Sequence, residues 1–167
     1  MAESEDEQFI KQRAELLTVL TFSRKHQLRV LYTSRQGWPG ADLIFILKRG
    51  TEISTHTLGV NVRAAVLTEG QPLPSGDLSR DETDLYRDAY YPLCMVLFVM
   101  NDDKGYFRWI QAPHPTRPGY FKFYPSGDWV ALDESQIDII IAQVEDWYSA
   151  RRQQSMEDIG EMAGSVR

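Results

Sequence analysis

The run from Leu93 to Met100, LCMVLFVM, constrains this chain most. Its eight apolar residues fall well short of the ~18 that a membrane-crossing helix needs. Eight residues suit a strand, and the absence of any polar alternation leaves neither side of that strand for water. A strand buried on both faces needs a covering layer above and below its sheet. That requirement predicts an α/β arrangement, a mixed central β-sheet flanked by helices. The chain has 167 residues, 43% of them hydrophobic and 25% charged, which suits one folded domain.

The flanking segments supply the helices. Residues 5–27 have near-helical apolar spacing, with Phe9, Leu16 and Leu20 on one face, Val19 and the stem of Arg13 beside them, and Ile10 and Leu17 adjoining. Ser4 and Glu7 suggest a capping box at the start, and Arg24, Lys25 and His26 suit the negative end of the helix dipole. Residues 133–152 read as a second helix, with Asp133 as N-cap and Ile137, Ile140, Ile141, Val144, Trp147 and Tyr148 on one face. The expected domain is therefore residues 1–152, followed by a flexible polar tail, 153–167.

Between the helices the pattern is one of strands. Leu28–Thr33 alternates, and SRQGWPG (34–40) is a loop by its Gly and Pro content. Leu43–Leu47 is a strand ending at a Lys48–Thr51 turn, and Thr57–Val66 is its antiparallel partner, with Val60, Val62 and Ala64 on one face. Residues 68–92 are turn-rich and acidic, with a short helix expected after Ser79. Asn101–Gly105 is a hairpin loop and YFRWIQ (106–111) the returning strand. Short edge strands are expected at 120–124 and 129–132.

Charge is unevenly distributed. The net value is −6, yet residues 11–63 hold nine bases against three acids, and residues 64–103 hold eight acids against two bases. Nucleic-acid binding follows the local field rather than the total, so the basic half is a candidate phosphate-facing surface. The plainer reading is solvated surface.

The sequence lacks a Gly-rich phosphate loop, a G-x-S-x-G elbow, an H-E-x-x-H helix and zinc spacing. The lone Cys94 excludes an internal disulfide. His26, His56 and His114 are separated in sequence and read as solvated. MAESEDEQ at the start is acidic where an export signal is basic and then apolar, so a cytoplasmic location is expected.

One arrangement points to chemistry. An N-terminal helix precedes a strand entered through Gly40-Ala41-Asp42, then a hairpin, then a strand carrying Asn61-Val62-Arg63. Farther on, PLCMVLFVMNDDKGYFRWIQ (92–111) joins an apolar strand, an acidic hairpin and an aromatic W-I strand. In this order the chain resembles the PD-(D/E)xK superfamily of restriction-endonuclease-like nucleases, and within it a small bacterial branch of unassigned function. The resemblance spans roughly residues 5–150 and rests on pattern rather than on an invariant string.

The resemblance implies a restriction-endonuclease-like fold and a metal-dependent phosphodiesterase site. Asp42, Asn61 and Arg63 stand at the catalytic positions, and Asp42, Glu15 and Asn61 would be the ligands of a Mg²⁺ ion. Arg35, Trp38 and Lys48 are the implied nucleic-acid contacts. Two departures weaken the motif. Asn61 replaces a Glu or Gln and brings no charge, and Arg63 replaces a Lys with a wide, permanently protonated fork. The expectation is thus a nuclease-derived nucleic-acid-interacting domain with weak or lost cleavage. An alternative is a non-enzymatic module that keeps the fold and binds a protein partner, or itself as a homodimer, through the acidic 68–103 face or the apolar C-terminal helix.

Each residue also has an ordinary explanation. Asp42 suits strand entry after Pro39-Gly40, Asn61 and Arg63 suit the polar side of a strand, and Glu15 suits a helix-surface pair with Lys11. The second-half aromatics, Tyr106 to Trp129, could stack bases but suit building a core and its rim better.

Overall fold

In the computed structural model, residues 5–31, 40–49 and 52–164 are described, without the side chains of 49, 52, 53 and 157–164. The element order is α1 (Glu5–Ser23), β1 (Leu28–Leu31), β2 (Leu43–Arg49), β3 (Glu52–Ala65), α2 (Arg80–Arg87), β4 (Leu93–Val99), β5 (Lys104–Pro113), β6 (Phe121–Phe123), β7 (Val130–Ala131) and α3 (Glu134–Gly164). Among the described residues the strands form one mixed, open seven-stranded sheet in the order β1-β2-β3-β4-β5-β6, with β7 also on β5. All neighbours are antiparallel except β3 and β4, which run parallel and are joined by the crossover that contains α2.

β4 is central, and each of its residues is buried. Its alternation divides the core in two. Cys94, Val96 and Phe98 pack with Phe45, Val60, Val62 and Phe107 under α1 and α3. Leu93 and Met95 pack with Ile44, Tyr86, Tyr91 and Ile110 on the opposite face. Here Tyr91 lies so close to β3 that a Cβ on Gly59 would come within 2.4 Å of its ring, so only glycine fits. The burial expected for residues 93–100 is therefore met by two unequal layers, two long helices on one side and the α2 segment on the other.

α1 presents a different face from the expected one. Ala14, Thr18 and Phe22 are buried and Ile10, Leu17 and Val19 pack beside them, whereas Phe9, Leu16 and Leu20 are 66%, 57% and 62% exposed. Aromatic stacking and small size decide the rotation. Phe22 stacks on Phe45 with centroids 4.9 Å apart, and Ala14 and Thr18 let the helix approach the sheet. The Thr18 hydroxyl donates to the Ala14 carbonyl at 2.8 Å, which satisfies it within the helix.

α3 begins as expected, with the Gln136 amide donating to Asp133 Oδ1 at 2.8 Å, but continues as helix through Gly164 rather than ending at Arg152. Ile137, Ile140, Ile141, Val144 and Trp147 are buried against the sheet, so the apolar face of this helix is occupied by the chain's own core. His56 is likewise not solvated. It sits in β3 at 2% exposure, stacked on Tyr148 at 4.4 Å. No helix among the described residues is long and apolar enough to cross a membrane.

Candidate functional site

The site forms where β2 begins beside the middle of β3. Gly40 turns the chain with φ of +79°, and the Tyr86 ring covers it so closely that an added Cβ would lie 2.3 Å from Cδ1. Asp42 follows and extends the strand ladder by one residue. Its amide donates to the Val60 carbonyl at 2.9 Å, and its Oδ2 accepts the Val62 amide at 2.7 Å. The carboxylate thus replaces the backbone partner that β2 cannot supply to Val62. A Gly40→Ala variant would force both a left-handed alanine and a displaced Tyr86. We expect it to lower stability by about 1–3 kcal/mol and to increase Tyr86 exposure, measurable by denaturant titration and tyrosine fluorescence.

On β3, Asn61 and Arg63 alternate with the buried Val60 and Val62 and so face the α2 side. Asn61 Nδ2 donates to Asp42 Oδ2 and to the Tyr86 hydroxyl, both at 3.2 Å. Arg63 Nη2 lies 2.6 Å from Glu82 Oε1. Glu82 is itself fixed by a capping box at the start of α2. The Ser79 amide donates to Glu82 Oε2 at 2.8 Å, and the Glu82 amide donates to the Ser79 hydroxyl at 3.3 Å. From the other layer Lys11 on α1 reaches across, its Nζ 3.3 Å from Asp42 Oδ1.

These side chains line an open cleft of about 410 Å³, bounded by Lys11, Gly40, Asp42, Asn61, Arg63 and Glu82 among others. A second cavity of about 460 Å³ continues past Val62 and Ala64 toward Glu7. Lys11 and Arg63 line both cavities and stand where they meet.

The structure thus brings Asp42, Asn61 and Arg63 together. Glu15 is half-buried one turn beyond Lys11 on α1 and does not line the cleft; the helix contributes a cation where a carboxylate was expected. Lys48 is at the other end of β2, six residues or about 20 Å from Asp42. Arg35 and Trp38 lie outside the described residues. Sequence reasoning missed Glu82 and Tyr86. Their signal was present in Ser79-x-x-Glu82, a capping box followed one helical turn later by Tyr86, whereas the box expected at Ser4 involves a residue outside those described.

Electrostatically the cleft is balanced, with two carboxylates facing two cations. Desolvation raises the Glu82 pKa, but the hydrogen bonds from Ser79 and the Arg63 charge outweigh it and hold the carboxyl below its ordinary value. A depressed carboxylate pKa contributes stability above the unfolded-state value and loses it as pH falls. We therefore expect the amides of α2 to lose protection as pH drops through and below the ordinary glutamate range, and Glu82→Gln to remove that dependence in a hydrogen-exchange experiment. Tyr86 is pushed up to about 12, first by burial and then by the neighbouring Glu82 charge, so its hydroxyl stays protonated at neutral pH.

The donor set does not fit a tightly held Mg²⁺. Mg²⁺ takes oxygen ligands at about 2.0–2.1 Å in octahedral array, usually including one or two carboxylates. Asp42 Oδ2 already accepts two N–H groups, and Oδ1 faces the Lys11 ammonium. Glu82 is held by Arg63 and Ser79. Among the described residues no cluster of three or more His, Cys, Asp or Glu stands ready for a metal ion. What the cleft offers chemically is two cations at the junction of a groove, backed by hydrogen-bonded carboxylates. No protein-family model matches the chain, and a comparison with curated proteins gave no significant match.

Proposed function

We propose that this chain is a nuclease-derived, restriction-endonuclease-like domain that interacts with nucleic acid and has weak or lost phosphodiesterase activity. The observation that supports this reading is the meeting of Asp42, Asn61 and Arg63 at one cleft from two neighbouring strands. In such a nuclease the same positions carry metal ligands and a lysine. In this chain Asp42 and Glu82 are engaged by Lys11 and Arg63 in internal ion pairs, which suits a structural role for the carboxylates.

Binding then falls to Lys11 and Arg63. Both are about one-third exposed, with side-chain values of 32% and 30%, and both border the groove along its length. A phosphodiester backbone lying in the groove would meet the two cations together. Arg63 suits the planar, two-point grip of a phosphate, and Lys11 acts as a mobile point charge. Each contact requires partial release from Glu82 or Asp42, so affinity is modest and falls steeply with salt.

Fluorescence anisotropy with labelled duplex and single-stranded oligonucleotides at low ionic strength tests this. Binding is expected, with cleavage absent or very slow when Mg²⁺ or Mn²⁺ is added. Absence of binding to every such probe at low salt would overturn the reading.

A further inference from the structure

The exposed side of α1 carries a second feature that the cleft does not use. Phe9, Leu16 and Leu20 are separated by seven and four residues, which places them within about 40° of arc on a helix. All three are more than half exposed. Arg13 belongs to the same stripe, but its guanidinium is drawn aside to Asp103, with Nη2 2.7 and 2.9 Å from the two carboxylate oxygens. The apolar line between Phe9 and Leu20 is left open.

The ends of the stripe decide what would cover it. Glu5 lies one turn before Phe9, and Arg24 follows one turn after Leu20, just past the end of the helix; both are exposed. Position by position, the stripe is symmetric about the point between Ala14 and Glu15. A second copy of α1 laid antiparallel about that point sets Glu5 against Arg24, Phe9 against Leu20 and Arg13 against Leu16. Acid meets base at both ends, and Phe9 meets Leu20 on either side of the centre. At the centre Leu16 meets the aliphatic stem of Arg13, whose guanidinium is held by Asp103. The two helix dipoles are opposed. A two-fold interface must be self-complementary in this way, whereas a stripe serving an unrelated partner need not be. An anionic membrane surface is a poor match, since such helices flank their apolar face with Lys and Arg and α1 opens with Glu5, Asp6 and Glu7.

We infer that α1 is a self-association surface through which two copies of this chain pair antiparallel, on the face turned away from the core. Three large apolar side chains per copy make a small interface, so the pairing is reversible, with a dissociation constant on the order of micromolar to tens of micromolar.

Sedimentation velocity over a concentration series of the whole chain tests the inference. Wild type is expected to pass from monomer to dimer, and Leu20→Glu to remain monomeric with an unchanged far-ultraviolet circular dichroism spectrum. Glu5→Arg and Arg24→Glu should each weaken the dimer about tenfold, and the double variant E5R/R24E should restore it, because each swapped end again meets its opposite. A wild type that stays monomeric throughout, including one that instead floats with lipid vesicles, overturns the inference. So does a dimer insensitive to Leu20→Glu, and so does a double variant no tighter than the singles.

Discussion

Asp42→Ala should unfold at a lower temperature than the wild type. The Asp42 side chain is 14% exposed and has three partners: the Val62 amide and Asn61 Nδ2 on Oδ2, and Lys11 near Oδ1. Truncation leaves two N–H groups without their acceptor and an ammonium without its counter-charge. Each buried donor left unsatisfied costs about 1–3 kcal/mol, so a total loss of about 2–4 kcal/mol is expected. For a domain of this size that corresponds to a drop in Tm of roughly 5–15 °C. Asp42→Asn keeps one acceptor for Val62 and should lose less. The sign of the change separates two accounts of the cleft. A carboxylate kept for catalysis is often a source of strain, and its removal then raises stability. Differential scanning calorimetry of the two variants reads that sign, and a Tm raised by Asp42→Ala would show that Asp42 is not the structural anchor described above.

Phe45→Ala should have an effect at least as large. Phe45 is fully buried in β2 and stacks on Phe22, a buried residue of the inner face of α1. Removing a buried phenylalanine ring costs about 3–5 kcal/mol through lost transfer energy and the cavity left behind. In this fold the loss also reaches the cleft. α1 carries Lys11, and the helix is oriented by the contacts of Phe22, Thr18 and Ala14 with the sheet. The variant should therefore show both a lower denaturant midpoint and weaker nucleic-acid binding, while Phe45→Leu recovers most of each. Binding unchanged in a folded Phe45→Ala protein would show that Lys11 does not depend on this contact.

Much of this architecture was legible because one-dimensional patterns carry it. The unbroken apolar run of β4 announces a strand with two covered faces. The alternation Val60-Asn61-Val62-Arg63 sends two polar side chains to one side of β3 whatever else the fold does. Asp133 marks the start of α3, and Ser79 the start of α2. The face of α1 was not legible. Phe9, Leu16 and Leu20 outweigh Ala14 and Thr18 on any hydrophobicity scale, and only contacts with the strands of the sheet, Phe22 on Phe45 among them, make the smaller residues the inner ones. The partners at the cleft were hidden for a related reason. Nothing local connects Lys11 with Asp42 or Arg63 with Glu82, because a helix packing angle and a crossover segment bring them together. His56 looked like a solvated loop residue because the β2–β3 hairpin is longer than its alternation suggests, and α3 closes over it.

The central claim is that Lys11 and Arg63 at the cleft junction contact nucleic-acid phosphates in place of a metal-dependent centre. The measurement closest to it is the salt dependence of duplex binding by wild type and by the Lys11→Ala/Arg63→Ala double variant. Each lost phosphate contact lowers the slope of log K against log salt by about 0.9. We expect the double variant to bind more weakly at low salt with a slope shallower by roughly one to two units, whereas Lys48→Ala keeps the wild-type slope. A double variant with the affinity and slope of the wild type would contradict the account.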